Sequence, residues 1–163
     1  HLGATVIGTV STEEKAKLAA AHGCHHPVLY KKYDVRETVR ELTNGAGVPV
    51  VYESVGKDTF QRSLECLRPR GILASFGHAS GPPDPVDIIE LGARGSLWVT
   101  RPTIMTYMED RDDMLAAAAE LFEVVQSGAV KIEVNQTFAL KDAAEAHRVV
   151  GERRTTGSTV LIP

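Results

Sequence analysis

The sequence predicts an α/β fold of the Rossmann-like, doubly wound kind, in which helices cover both faces of a parallel β-sheet. Strand-like and helix-like segments alternate along the 163 residues, and this order builds parallel sheets through crossover connections. The strand-like runs are also almost continuously apolar, as in 48–55. Such runs are typical of parallel strands buried on both faces.

Three strand–helix pairs are predicted in the first half of the chain. Ser11 or Thr12, Asp34, and Asp58 or Thr59 stand where N-caps are expected, and Gly23 ends the first helix. The third helix presents an inner stripe of Phe60, Leu64 and Leu67. The predicted strands are 5–10, 27–30 and 48–55, and the predicted helices are 13–22, 34–43 and 58–67.

The second half continues the alternation less regularly. A Pro-rich loop follows the fourth strand, Gly128 closes a long helix, and Asp142 caps the last helix. The predicted strands are 72–76, 96–100 and 158–162, the extended pieces are 130–134 and 137–140, and the helices are 87–91, 111–127 and 142–150.

Composition narrows the class of partner. A net charge of −3 gives no electrostatic reason to expect nucleic acid or an anionic membrane as partner. No apolar run approaches the roughly 20 residues that span a bilayer. Cys24 and Cys66 lie far apart in the sequence, so we expect buried free thiols and a reducing, cytoplasmic setting.

The carboxyl ends of the middle strands change abruptly from apolar to small and polar residues. "SFGHASG" begins at residue 75, and "ESVG" begins at residue 53. Ligands of open parallel sheets bind beyond these strand ends. The predicted neighbours of a ligand are therefore Ser54, Val55, Phe76, Gly77, His78 and Ala79. The same small and polar residues are also expected at ordinary strand-to-helix turns that bind no ligand.

The first two strands end in residues suited to a phosphate. In dinucleotide folds an acid at the second strand end binds the ribose 2′-hydroxyl, but here Ser11 occupies that region and Lys15 follows one helical turn later. A hydroxyl and an ammonium suit a ribose 2′-phosphate better than they suit a free 2′-hydroxyl. Tyr30 closes the next strand and could stack on a ligand. Alternatively, Ser11 is an N-cap, Lys15 a solvated residue and Tyr30 a rim residue.

Metal and glycine-loop motifs are not found. His22 and His25 straddle the helix-breaking Gly23, so we predict no metal site in the cluster that they form with His26. The sequence has no GxGxxG and no GxxxxGK[ST]. If 5–10 is the second strand of a dinucleotide fold, the first strand and its glycine loop are expected to precede residue 1.

The whole chain resembles the C-terminal half of the zeta-crystallin-like quinone oxidoreductases, in the medium-chain dehydrogenase/reductase superfamily. The resemblance rests on "LGATVIGTVSTEEKA", "VVYESVGKDTFQRSLECLRPRG", "SFGHASG", "GSLWVTRPT", "LKDAAEAH" and "TTGSTVLIP". It implies a Rossmann-like domain and zinc-independent reduction of quinones by NADPH. A related implied activity is reduction of a conjugated alkene, as in an enoyl or alkenal reductase.

The resemblance also assigns contacts and partners. It implies a homodimer joined through the strand around Ser96–Thr100, and it implies that about 128–163 returns toward a GroES-like domain. The implied NADPH contacts are Ser11, Lys15, Tyr30, Phe76, Gly77, His78, Ala79, Val99, Thr100, Arg101 and Arg153. No catalytic residue is assigned.

The family's members are about twice as long as this chain. We therefore expect the 163 residues to be a piece of a longer protein, with weak activity or none when isolated. The competing hypothesis is a non-catalytic module that binds a nucleotide or forms a dimer.

Overall fold

A computed structural model describes residues 1–163. The chain divides into two compact units, one of residues 5–114 and one of residues 1–4 and 115–163. No helix is both long enough and apolar enough to cross a membrane.

The unit of residues 5–114 holds the strand–helix alternation that the sequence predicts. Its elements are β1 Ile7–Val10, α1 Glu13–Ala21, β2 His26–Leu29, α2 Val35–Leu42, β3 Val48–Glu53, α3 Phe60–Glu65, β4 Leu67–Ser75, α4 Ile88–Ala93, β5 Trp98–Thr100 and α5 Ile104–Tyr107. The division falls within the next helix, α6. The remaining elements are α6 Arg111–Gln126, β6 Val134–Ala139, a 3-10 turn Leu140–Asp142, α7 Ala143–Gly151 and β7 Ser158–Ile162.

Every strand pair is parallel, which confirms the predicted sheet type. β1 pairs with β2, from Ile7 opposite His26 to Val10 opposite Leu29. β3, β4 and β5 form a three-stranded group in that order. β6 pairs with β7 in the other unit. β1 and β3 are not paired with each other.

One face of the β3–β4–β5 group carries the core. Leu73 of β4 is fully buried, and it packs with Phe60 and Leu64 of α3 and with Leu97 before β5. Burying such side chains is the main favourable term in folding. The core therefore fixes α3 against the sheet.

Two of the predicted helix caps, Thr12 and Asp34, make the expected side-chain hydrogen bonds. The Thr12 hydroxyl accepts a hydrogen bond from the Lys15 amide at 3.3 Å, which settles the choice between Ser11 and Thr12. The Asp34 carboxylate accepts one from the Glu37 amide at 2.9 Å. Asp142 makes no side-chain cap bond, because it ends a 3-10 turn that leads into α7.

Several predicted boundaries are wrong, and the larger differences have structural reasons. Leu67 belongs to β4, where it lies opposite Val48, although its spacing from Leu64 also fits a helix. β5 begins two residues later than predicted, because Ser96 has a φ of 57°, outside the strand region. In place of the extended pieces predicted at 130–134 and 137–140, the chain has one strand, β6 Val134–Ala139, and 130–133 lie outside any strand. Helix α5 was not predicted.

Candidate functional site

The parallel register of β3, β4 and β5 gathers most of the predicted ligand neighbours at one sheet edge. Glu53 lies opposite Ser75, and Ala74 lies opposite Thr100. The segments at the carboxyl ends of these strands therefore leave the sheet side by side. The predicted residues gathered there are Ser54, Val55, Phe76, Gly77, His78, Ala79, Val99, Thr100 and Arg101.

Several of these side chains are open to solvent. Phe76 is 50% exposed, and Ser54, His78 and Ala79 are exposed while Val55 is half-buried. This edge therefore has an aromatic ring, an imidazole and a hydroxyl that solvent can reach.

Backbone hydrogen bonds join the two loops at this edge, the β3 loop (residues 54–58) and the β4 loop (residues 76–81). The Ser54 carbonyl accepts from the Ala79 amide at 3.1 Å, and the Val55 carbonyl accepts from the Ser80 amide at 2.8 Å. The Lys57 amide donates to the Gly81 carbonyl at 3.0 Å. The loops therefore form one hydrogen-bonded platform.

Two glycines allow this close approach. A Cβ on Gly77 would lie 2.7 Å from the Ser54 carbonyl oxygen, and one on Gly56 would overlap the Gly81 carbonyl oxygen. Gly56 also has a φ of 88°, which side chains disfavour. The small residues at these two positions are explained by loop–loop contact, whether or not a ligand also lies above them.

A buried carboxylate lies beneath the β3 loop. The Glu53 side chain accepts hydrogen bonds from the amides of Val55 at 2.6 Å and Gly56 at 3.1 Å. It also accepts from the hydroxyls of Thr59 at 2.9 Å and Ser63 at 2.5 Å. Burial raises the pKa of Glu53, but the hydrogen bonds from Ser63, Gly56, Val55 and Thr59 lower it by more, so its pKa lies below the ordinary value.

Sequence reasoning missed Glu53 and its partners. A usable signal was present, since an acid ends the apolar run Val48–Tyr52 and two hydroxyl residues follow at Thr59 and Ser63. Residues four apart lie on one face of a helix, so both hydroxyls can reach the same group.

The predicted phosphate-binding residues lie at the ends of β1 and β2. The Tyr30 amide donates to the Val10 carbonyl at 3.2 Å, which places Tyr30 beside Ser11. Ser11, Lys15 and Tyr30 are all half-buried. Glu13, the first acid after Ser11 in the sequence, accepts a hydrogen bond from the Lys32 ammonium at 2.6 Å.

Arg153 belongs to the unit of residues 1–4 and 115–163. It is exposed, has a φ of 58°, and its amide donates to the Val150 carbonyl at 2.9 Å.

The histidine cluster is engaged with the backbone. His25 Nδ1 accepts from the Val6 amide at 3.1 Å, and His22 Nδ1 lies 2.9 Å from the Leu18 carbonyl oxygen. No group of three or more His, Cys, Asp or Glu side chains is arranged to hold a metal ion.

Comparison with known proteins gives concordant matches. The sequence model of a family described as "Zinc-binding dehydrogenase" matches residues 22–161. A 2-haloacrylate reductase from Burkholderia sp. is 54% identical over 100% of this chain and 49% of its own length. A quinone oxidoreductase from Pseudomonas aeruginosa is 51% identical over 99% of this chain and 50% of its own length.

Solved structures include similar folds. The crystal structure of Escherichia coli quinone oxidoreductase complexed with NADPH matches with a TM-score of 0.95 and 44% identity, over 99% of this chain and 50% of that one. The chain thus spans about half the length of the relatives that it matches. The Rossmann-like fold prediction is confirmed.

We expect Gly77→Ala to lower the free energy of unfolding by about 1–3 kcal/mol, because overpacking a tight contact costs about that much. Urea denaturation of the two proteins measures the change. Gly92→Ala is the matched control, since a Cβ on Gly92 would meet nothing within 4 Å and helices favour Ala over Gly. Equal effects of the two substitutions would contradict the loop–loop explanation.

Proposed function

The chain belongs to the zinc-binding dehydrogenase family, and from that premise we propose that it is the cofactor-binding part of an NADPH-dependent quinone oxidoreductase. The observation that carries the proposal is the sheet edge at which the β3 and β4 loops and the end of β5 lie side by side. Relatives support it, because the E. coli quinone oxidoreductase structure is a complex with NADPH.

We propose that NADPH contacts residues at and near the strand ends, together with Arg153. Lys15, Ser11 and Tyr30 offer an ammonium, a hydroxyl and a phenol to the 2′-phosphate. The proposed contacts with the rest of the cofactor are Ser54, Val55, Phe76, Gly77, His78, Ala79, Val99, Thr100, Arg101 and Arg153. NADPH would supply the hydride, and this chain's residues would bind the cofactor, orient it and exclude water.

Zinc does not fit the residues of this chain. The family description names zinc, but the ring nitrogens of His22 and His25 described above face backbone groups. No step of the proposed reaction is therefore routed through a metal.

The remaining assignments follow the same proposal. Residues about 128–163 would lead toward a GroES-like domain of the longer protein.

Cys24 and Cys66 are free thiols, which supports a reducing, cytoplasmic setting.

A second candidate is reduction of a conjugated alkene. The 2-haloacrylate reductase is 54% identical to this chain, compared with 51% for the P. aeruginosa quinone oxidoreductase. A 2-haloacrylate is an alkene conjugated to a carboxylate, so it resembles a quinone as an acceptor of hydride at a polarised double bond.

The proposed homodimer would form through β5. This strand pairs only with β4, and all three of its residues are exposed, with Trp98 66% exposed. An edge strand with free backbone donors and acceptors is suited to pairing with a second copy.

We expect Lys15→Ala, in the polypeptide that contains this chain, to weaken NADPH binding by about 10- to 100-fold, the range for a hydrogen bond to a charged group. NADH, which lacks the 2′-phosphate, should lose less than about 3-fold by the same reasoning. Titration calorimetry measures both. Lys17→Ala is the control, because Lys17 is an exposed lysine on the same helix. Equal losses of NADPH and NADH affinity in Lys15→Ala would contradict a role for Lys15 in binding the 2′-phosphate.

We expect the same polypeptide to oxidise NADPH with a quinone at a kcat/KM at least about 10-fold above that with 2-haloacrylate, a difference of about 1.4 kcal/mol in the barrier. The fall in NADPH absorbance measures both rates. The reverse order would favour the second candidate. No turnover with either substrate would favour the non-catalytic hypothesis.

We expect Trp98→Lys to shift the homodimer toward monomer, because a lysine on an edge strand opposes pairing with another strand. Sedimentation velocity at several concentrations measures the shift. Leu42→Lys, at a 40% exposed position on α2, should leave the distribution unchanged. A wild-type protein that is monomeric at all concentrations would refute the dimer.

A further inference from the structure

The proposed function does not use Glu53, yet the Glu53 carboxylate accepts hydrogen bonds from four residues. Its side chain is buried, with 4% of the residue exposed. The influences on its pKa are burial and the hydrogen bonds from Ser63, Gly56, Val55 and Thr59, and no cation is among them. A buried charge without a cation is costly unless hydrogen bonds satisfy it, so the donors around Glu53 need an explanation.

Val55 and Gly56 lie in the β3 loop, Thr59 is the N-cap of α3, and Ser63 lies within α3. One carboxylate oxygen accepts from the amides of Val55 and Gly56, at 2.6 and 3.1 Å. The other accepts from the hydroxyls of Thr59 and Ser63, at 2.9 and 2.5 Å. A carboxylate suits this position because it accepts at both oxygens and donates at neither.

The same residue also holds the β4 loop. The Glu53 backbone carbonyl accepts from the amides of Phe76 at 2.9 Å and Gly77 at 3.3 Å. The Ser80 hydroxyl donates to the Val55 carbonyl at 2.8 Å and accepts from the Asp58 amide at 3.1 Å. A displacement of the Val55–Gly56 turn would therefore move both loops of the platform.

We propose that Glu53 is a positioning residue, whose ionised carboxylate holds the β3 loop, and through it the β4 loop, in the conformation that receives the nicotinamide cofactor. This inference rests on the proposed function. It adds to that function a residue that touches no ligand and acts through Ser54, Val55 and the segment 76–79. Loops fixed in advance lose less conformational freedom on binding, which increases affinity.

The direction of the Glu53 pKa agrees with an ionised group. Burial alone would raise the pKa, and the hydrogen bonds from Ser63, Gly56, Val55 and Thr59 outweigh it and leave the pKa below its ordinary value of 4.5. The hydrogen bonds thus favour the charged form over the neutral one.

The experiment compares Glu53→Gln with wild type in the polypeptide that contains this chain, without cofactor and with NADPH. Residue-resolved amide hydrogen exchange of the cofactor-free protein should be faster in the variant at Val55, Gly56, Ala79 and Ser80, with β1, β2 and α1 unchanged. The KM for NADPH should rise about 10-fold while kcat at saturating NADPH changes by less than about 3-fold, the pattern of lost cofactor binding.

Glu65→Gln is the matched control. Glu65 is a partly buried carboxylate of α3 that faces Arg94 at 3.7 Å and Arg36 at 3.9 Å, and neither of its partners belongs to the two loops. It should leave exchange at the four amides and the KM for NADPH unchanged.

The outcomes separate this inference from the proposed function. If wild type does not bind NADPH, the proposed function fails, while the exchange measurement still tests the role of Glu53 in the loops. If Glu53→Gln leaves the four amides protected, or accelerates exchange equally throughout the protein, the positioning role is overturned. If Glu53→Gln does not fold, Ser63→Ala replaces it, and unchanged exchange at the four amides in that variant also overturns the proposal.

Discussion

The geometry of the candidate site depends on the contact between two loops that leave adjacent parallel strands. Gly77 and Gly56 allow the backbones to approach so closely that a Cβ at either position would meet a carbonyl oxygen. Hydrogen bonds between residues 54–57 and 79–81 then hold the loops together. Because β3 and β4 run parallel in a fixed register, the platform sits at the sheet edge where open α/β folds place their ligands.

The sequence allowed good prediction where the determining interactions are local. Asp34 capping α2 and Gly23 beyond α1 are read from neighbouring residues, and the resemblance to quinone oxidoreductases is confirmed by the matches. Prediction failed where partners are distant in sequence. Leu67 suits a helix or a strand, and only its pairing with Val48 decides. The acceptor role of Glu53 depends on Ser63, ten residues away, and so it could not be read from the strand pattern alone.

The relatives divide by substrate although their similarity to this chain is almost the same. A haloacrylate reductase and a quinone oxidoreductase differ by 3 percentage points, 54% against 51%, and each is matched over about half its length. Such similarity is expected if this half serves a requirement common to both, which is to hold the hydride donor. Under the proposed function, the choice between acceptors would then depend on how the acceptor is oriented against the cofactor, and identity over this chain does not report that orientation.

The carboxylates of Glu13 and Glu53 differ in the groups that compensate their negative charge. Glu13 and Lys32 form an ion pair with both side chains 58% exposed, so salt and solvent screen their interaction. Glu53 is buried and is satisfied by neutral donors, so added salt has little access to it. Under the proposed function, the electrostatics at the ends of β1 and β2 would adjust when the 2′-phosphate binds, whereas the proposed role of Glu53 would fix the loops beyond β3 and β4 beforehand. That combination suits a ligand with one charged end that is attracted through solvent and one planar end that needs an exact orientation for hydride transfer.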